Sequence, residues 1–144
     1  VIIGLDMAGE IAEIGAGVRG WQPGERVLVN PVNRSKGLMG EMLDGGMAEY
    51  CLVAADQLLR MPDAVSFEDA SSLPVAYGTA HRMLITQQTV KPGDTVLTLG
   101  ASGGVGTGCV LLCKRLGAEV IACASSTAKL QRLKELGADR ARPR

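Results

Sequence analysis

The stretch Thr95-Val96-Leu97-Thr98-Leu99-Gly100-Ala101-Ser102-Gly103-Gly104-Val105-Gly106 decides the fold. Its first five residues form a short apolar run of the kind a parallel sheet buries on both faces. Its glycines leave the end of that strand and open a helix. Across residues 103–116, Val105, Cys109, Leu112, Cys113 and Leu116 share one helical face, and Gly117 can cap the end. Residues 119–124 read as a second buried strand. Ser126 or Thr127 then opens a helix that carries Leu130, Leu133 and Leu136 and stops at Gly137. The order strand, helix, strand, helix is half of a doubly wound α/β domain.

A glycine loop between a strand and a helix N-terminus is the geometry that a dinucleotide pyrophosphate needs. The helix end offers unpaired N–H groups and partial positive charge, and glycines let the backbone approach the ligand. The candidate residues are Gly100, Ser102, Gly103, Gly104, Val105 and Gly106, the last allowing the helix to pack close to the strand. No Lys-Ser/Thr pair follows the last glycine, so this is not a Walker loop. A purely structural glycine turn is the alternative. About twenty residues on, an acid would read the free 2′-hydroxyl of NAD. Here Ser125, Ser126, Thr127 and Lys129 occupy that region, with no acid before Glu135. Hydroxyls and one lysine suit a 2′-phosphate, so NADP(H) is expected over NAD(H). The alternative is that Ser126 and Thr127 cap the helix and Lys129 is solvated.

Upstream of residue 70 the pattern changes to short β-type runs between glycine turns. Residues 9–14, 26–30 and 50–53 are strand candidates, and Gln22-Pro23-Gly24-Glu25 and Lys91-Pro92-Gly93-Asp94 are two uses of one turn. Residues 31–46 read as a loop and 58–62 as the lead into a linker. Ser66 is a candidate N-cap for a short helix through Ser71.

Composition narrows the functional classes. The chain has 144 residues, enough for a modest core, with 47% hydrophobic residues and only 3% aromatic ones. Fifteen basic residues balance fifteen acidic ones with no block of like charge, which removes support for nucleic-acid or membrane-surface partners. No apolar stretch approaches the length of a membrane span, and no leader pattern opens the chain. The four cysteines form no Cys-x-x-Cys, consistent with reduced thiols in the cytoplasm.

The residues assembled so far resemble the medium-chain dehydrogenase/reductase superfamily, which includes zinc-type alcohol dehydrogenases and quinone oxidoreductases. The resemblance rests on Gly4-Leu5-Asp6-Met7-Ala8-Gly9-Glu10, Gly15-x-Gly17-Val18 and Pro23-Gly24-Glu25-Arg26-Val27. It continues through Gly45-Gly46-Met47-Ala48-Glu49-Tyr50, Leu73-Pro74-x-x-Tyr77-x-Thr79-Ala80, Pro92-Gly93-Asp94-Thr95-Val96, the glycine loop and Leu136-Gly137-Ala138-Asp139. It implies a partial GroES-like β-barrel catalytic domain over residues 1–72, followed by the first half of a Rossmann doubly wound parallel sheet over 73–144. The chain would then lack the first barrel strands and the second Rossmann half. Residues 140–144, Arg-Ala-Arg-Pro-Arg, would replace an expected third strand with a charged tail.

Departures from the family pattern are equally informative. Zinc-type members carry a histidine ligand where this chain has Leu5, and a cysteine-bearing lobe where residues 30–45 contain none. No zinc is therefore expected, and Asp6 reads as solvated or bonded within the barrel. Cys51 reads as packing on a strand, Cys109 and Cys113 as core thiols, and the only histidine, His81, as structural. Met39, Met42 and Met47 are read as covering apolar surface. By resemblance, Tyr77 and Thr79 lie on the nicotinamide side of the cleft as catalytic candidates, with helix-start packing as the alternative. The resemblance implies a zinc-independent oxidoreductase that moves hydride between NADP(H) and a small carbonyl, enone or quinone substrate, homo-oligomerisation being left open. A degenerate, non-catalytic nucleotide-binding or structural remnant is the second reading, and the isolated chain is expected to be marginally stable and inactive.

Overall fold

In each half of the chain a Pro-Gly turn launches the valine strand that follows it. The Glu25 N–H donates to the Gln22 carbonyl at 3.3 Å with Gly24 at φ +86, and the Asp94 N–H donates to the Lys91 carbonyl at 3.1 Å with Gly93 at φ +88. The Asp94 carboxylate also accepts from the Lys91 N–H at 2.7 Å. The computed structural model describes residues 1–143 and divides into two compact units, Val1–Val75 and Ala76–Arg144.

In the first unit Met7–Glu10 (β1) pairs antiparallel with Arg26–Val29 (β2), matching Met7 to Val29 and Glu10 to Arg26. The hairpin Val32–Asn33 (β3) and Gly37–Leu38 (β4) follows, and Leu58–Arg60 (β5) pairs with β2 on its other side. The first strand lies earlier than the expected 9–14. The turn at 22–25 fixes the antiparallel register, so pairing ends at Ile11, whose N–H meets the Glu25 carbonyl at 3.0 Å. The Gly24 N–H then returns to the Ile11 carbonyl at 2.8 Å, and residues 12–14 have no strand opposite them. Residues 50–53 are not a strand. They have no ladder partner among the described residues, and Leu52 is 96% exposed.

The expected loop at 31–46 holds β3, β4 and a buried anchor, Met39, which is 1% exposed and packs with Met7 and Val29. Met42 and Met47, by contrast, are exposed. Glycines in this region let backbones meet. A Cβ on Gly45 would lie 2.1 Å from the Gly4 carbonyl oxygen, where the Gly46 N–H bonds that same oxygen at 3.0 Å. Residues 58–60, expected as the lead into a linker, form β5 because β2 has a free edge there. The helix Phe67–Ser71 (α1) starts as expected, with the Ser66 hydroxyl accepting from the Asp69 N–H at 3.0 Å.

The second unit opens with the helix Ala76–His81 (α2), which runs into a π-helical turn at Arg82–Thr86. Three parallel strands follow, Thr95–Thr98 (β6), Glu119–Ala124 (β7) and Arg140–Pro143 (β8), in the order β6-β7-β8. The helices Gly104–Arg115 (α3) and Thr127–Glu135 (α4) connect them. Burial of Val110, Cys113, Val120, Ala122 and Leu133 makes the core, a stack of small and medium side chains suited to a chain poor in aromatics. Gly117 and Gly137 end α3 and α4 at φ +80 and +113.

One expectation changes here. Residues 140–143 are not a tail but the strand β8, paired from Ile121–Arg140 to Ala124–Pro143, while Arg144 of the expected tail lies outside the described residues. Strand pairing is a backbone property: Arg140 sends its charge to Glu119 at 3.0 Å, and the proline without an N–H takes the last pair. Strand β6 has an unpaired edge and an uncovered face, as expected where only half of a doubly wound sheet is present. It pairs only with β7 among the described residues, and Leu97 and Leu99 are 58% and 68% exposed.

Candidate functional site

The glycine loop sits where the sequence reading put it, at the end of β6 and the start of α3. Gly100 turns the chain at φ +61, and the Gly103 N–H closes the turn on the Gly100 carbonyl at 3.0 Å. The Ala101 N–H donates to the Cys123 carbonyl at 2.9 Å, tying the loop to β7. No side chain caps α3, whose N-cap is Gly103. The first N–H groups of a helix have no intrahelical acceptor, so those of Gly104, Val105 and Gly106 concentrate partial positive charge at this end. Ser102, Gly103, Gly104 and Val105 are exposed around it.

Close packing explains two of the glycines. A Cβ on the buried Gly106 would lie 2.6 Å from both the Ala101 Cα and the Gly100 carbonyl oxygen. One on Gly104 would lie 2.9 Å from the Ala76 Cβ. At Gly103 the nearest such atom is 3.5 Å away, an ordinary contact, so close packing does not require glycine there.

At the end of β7, Ser125, Ser126 and Lys129 are all exposed. The Ser126 hydroxyl oxygen accepts from the Lys129 N–H at 3.4 Å as the N-cap of α4, and its own O–H stays available to donate. The Lys129 ammonium has no ion-pair partner among the described residues.

Leu5, where the resemblance expects a zinc ligand, is half-buried and has no donor atom. The adjacent Asp6 carboxylate accepts from the Val75 N–H at 2.8 Å. Among the described residues, no three His, Cys, Asp or Glu side chains come together as a possible metal-holding group. Cys51 lies in irregular chain rather than on a strand, with its Sγ 3.9 Å from the Met7 sulfur. Burial pushes the Cys51, Cys109 and Cys113 thiols up, and Cys113 is raised further by Cys109 one turn away. No helix among the described residues is long and apolar enough to cross a membrane.

Tyr77, Thr79 and His81 all lie on α2. The Tyr77 ring packs on α3, 3.4 Å from where a Gly108 Cβ would be, while Thr79 is exposed. His81 is exposed, with its Nδ1 3.4 Å from the Thr86 hydroxyl.

Three side chains that organise the units went unread in the sequence. Arg26 donates to the carbonyls of Pro62, Asp63 and Val65 at 3.3, 2.9 and 2.6 Å and stacks over Phe67. Gln57 is buried and fully bonded: it donates to the Asn30 carbonyl and accepts from the Asn33 amide and the Ala54 N–H. Asp139 takes the Lys114 ammonium on both oxygens at 2.8 Å and the Val120 N–H at 2.7 Å. Those bonds hold its carboxyl below the usual carboxylate range, Lys114 first. Arg26 and Asp139 sat inside motifs quoted for the resemblance, but Gln57 belongs to none.

Comparison with known proteins agrees with this architecture. Residues 1–63 match the alcohol dehydrogenase GroES-like domain. The chain is 35% identical to crotonyl-CoA reductase of Streptomyces avermitilis, over 96% of this chain and 35% of that protein. It is 34% identical to the chloroplastic NADPH-dependent alkenal/one oxidoreductase of Arabidopsis thaliana, over 94% of this chain and 35% of that one. The solved structure of an NAD-dependent alcohol dehydrogenase superposes with a TM-score of 0.92 at 34% identity, covering 99% of this chain and 46% of its own. The chain thus spans 35% of the length of these two curated relatives. A GroES-like unit followed by a Rossmann-type parallel sheet with a glycine loop defines the class, that of alcohol dehydrogenase-like and quinone oxidoreductase-like proteins. The chain belongs to the medium-chain dehydrogenase/reductase superfamily.

Proposed function

We propose that this chain binds a nicotinamide dinucleotide and belongs to a zinc-independent oxidoreductase that prefers NADP(H) and acts on a small carbonyl, enone or quinone-like substrate. Residues 73–144 would be its dinucleotide-binding domain and residues 1–72 its catalytic-domain portion. The observation that carries the reading is the uncapped N-terminus of α3, set against the loop that follows β6 by the close approach of Gly106 to Ala101.

The N–H groups of residues 102–106 would receive the pyrophosphate, with the helix end favouring its negative charge. The Ser125 and Ser126 hydroxyls and the Lys129 ammonium would meet the 2′-phosphate, where charge-assisted bonds are the strong kind. When bound, the nicotinamide supplies the hydride chemistry. The chain's own residues bind and orient it, so no acid–base pair is assigned, and Tyr77 and Thr79 stay the catalytic candidates by resemblance. Leu5 offers no metal donor and an Asp6 oxygen is already bonded, which favours a mechanism without zinc. The NADPH-dependent alkenal/one oxidoreductase among the relatives favours the cofactor, and it and crotonyl-CoA reductase favour the substrate class.

Titrating wild type and Lys129→Ala with NADPH and NADH tests the proposal. Loss of one charge-assisted bond should weaken NADPH about tenfold or more and leave NADH within about twofold. Equal wild-type affinity for the two nucleotides, or equal losses in the variant, would end the NADP preference and leave the glycine-loop reading standing.

A further inference from the structure

The N–H donors of the glycine loop must hold a fixed direction, and the loop lacks the usual means to fix it. Its helix start is Gly103-Gly104, the residue type with the most backbone freedom, and no side chain caps it. One side chain reaches back into this turn. The Thr107 hydroxyl donates toward the Gly103 carbonyl at 3.1 Å and the Gly104 carbonyl at 2.9 Å, while the Thr107 N–H holds the same Gly103 carbonyl at 2.8 Å.

A trans peptide is planar, with its C=O and the following N–H pointing in opposite directions. Pinning the Gly103 carbonyl therefore aims the Gly104 N–H out of the helix end, and pinning the Gly104 carbonyl aims the Val105 N–H the same way. We infer that Thr107 is a positioning residue for pyrophosphate binding: its hydroxyl locks the two peptide planes whose N–H groups face the ligand, without touching the ligand itself. The inference rests on the proposed dinucleotide reading of the loop. A hydroxyl bonding back to carbonyls three and four residues earlier adds little to helix stability, so its contribution is expected in binding, not in folding.

The test measures NADPH and NADH affinity and thermal unfolding for wild type, Thr107→Val and Thr107→Ser. Valine keeps the shape and removes the hydroxyl, and serine restores it. The expected result is a roughly fivefold loss of both nucleotides in Thr107→Val, the order expected for one neutral hydrogen bond. Thr107→Ser should stay within about twofold of wild type, and all three unfolding midpoints should agree within a few degrees. Wild-type affinity in Thr107→Val, an equal loss in Thr107→Ser, or a loss confined to NADPH would overturn the inference and leave the glycine loop as the binding site. A drop in unfolding midpoint matching the loss of affinity would assign the hydroxyl to folding and overturn it as well. A wild-type chain that binds neither nucleotide would overturn the dinucleotide reading, and this inference with it.

Discussion

Replacing Gly106 by alanine would place a Cβ 2.6 Å from the Ala101 Cα and the Gly100 oxygen and 2.8 Å from the Ala101 carbonyl carbon. Carbon atoms prefer roughly 3.5–4.0 Å, so α3 must shift from the loop by about 1 Å. All three obstacles are backbone, and the loop is held by the Ala101–Cys123 hydrogen bond, so no rotamer change relieves the clash. Overpacking of this kind costs about 1–3 kcal/mol, and the upper end applies where the neighbours are rigid. Against it stands the helix propensity of alanine over glycine, favourable by about 1 kcal/mol. The net expectation is a loss of about 2 kcal/mol. Gly78 supplies the control, since it lies in α2 and a Cβ there would meet no atom within 4 Å. There the propensity gain acts alone, and Gly78→Ala should stabilise by about 0.5–1 kcal/mol. Urea denaturation of both variants reads the difference, with opposite signs expected. A Gly106→Ala chain as stable as wild type would refute the close approach on which the glycine-loop geometry depends.

Other expectations follow from single side chains. Arg26→Ala removes three carbonyl contacts and a cation–π stack, and should cost about 2–3 kcal/mol in urea denaturation, while removing the exposed Arg142 should cost under about 0.5 kcal/mol. Because the Asp139 carboxyl is held low by Lys114 and Val120, its contribution is fully present above the unfolded carboxylate value. It is lost as pH falls from about 4 through the lower folded value. Asp139→Asn should accordingly flatten the acid limb of a stability–pH curve, and an unchanged limb would contradict this. Thiol labelling of the folded chain should find Cys51 first, with Cys109, Cys113 and Cys123 reacting only on unfolding, since these three are buried.

The parts of the fold that were legible in the sequence are those where local chemistry decides the structure. The β6–loop–α3–β7–α4 succession could be read because helical period, capping serine and terminal glycines all act within a few residues. The two Pro-Gly turns were readable for the same reason. What was misread depends on partners distant in sequence. Whether residues 9–14 or 7–10 form the first strand is set by the register against Arg26–Val29, and residues 50–53 looked like a strand but found nothing to pair with. Arg140–Pro143 looked too charged for a strand, yet β7 offered an open edge and Glu119 a counter-charge. The candidate site divides in the same way. Its glycines were legible individually, but the roles of Gln57, Arg26 and Thr107 exist only through carbonyls and amides that folding brings to them.

The central claim is that the α3 N-terminus is a dinucleotide cradle, and amide NMR during NADPH titration tests it most directly. The account predicts saturable shifts concentrated at Gly100, Ser102, Gly103, Gly104, Val105 and Gly106, with a second group at Ser125, Ser126 and Lys129. NADH should shift the first group and leave the second nearly unmoved. Saturable binding with shifts centred outside these residues, or no saturable shift at all, would contradict it.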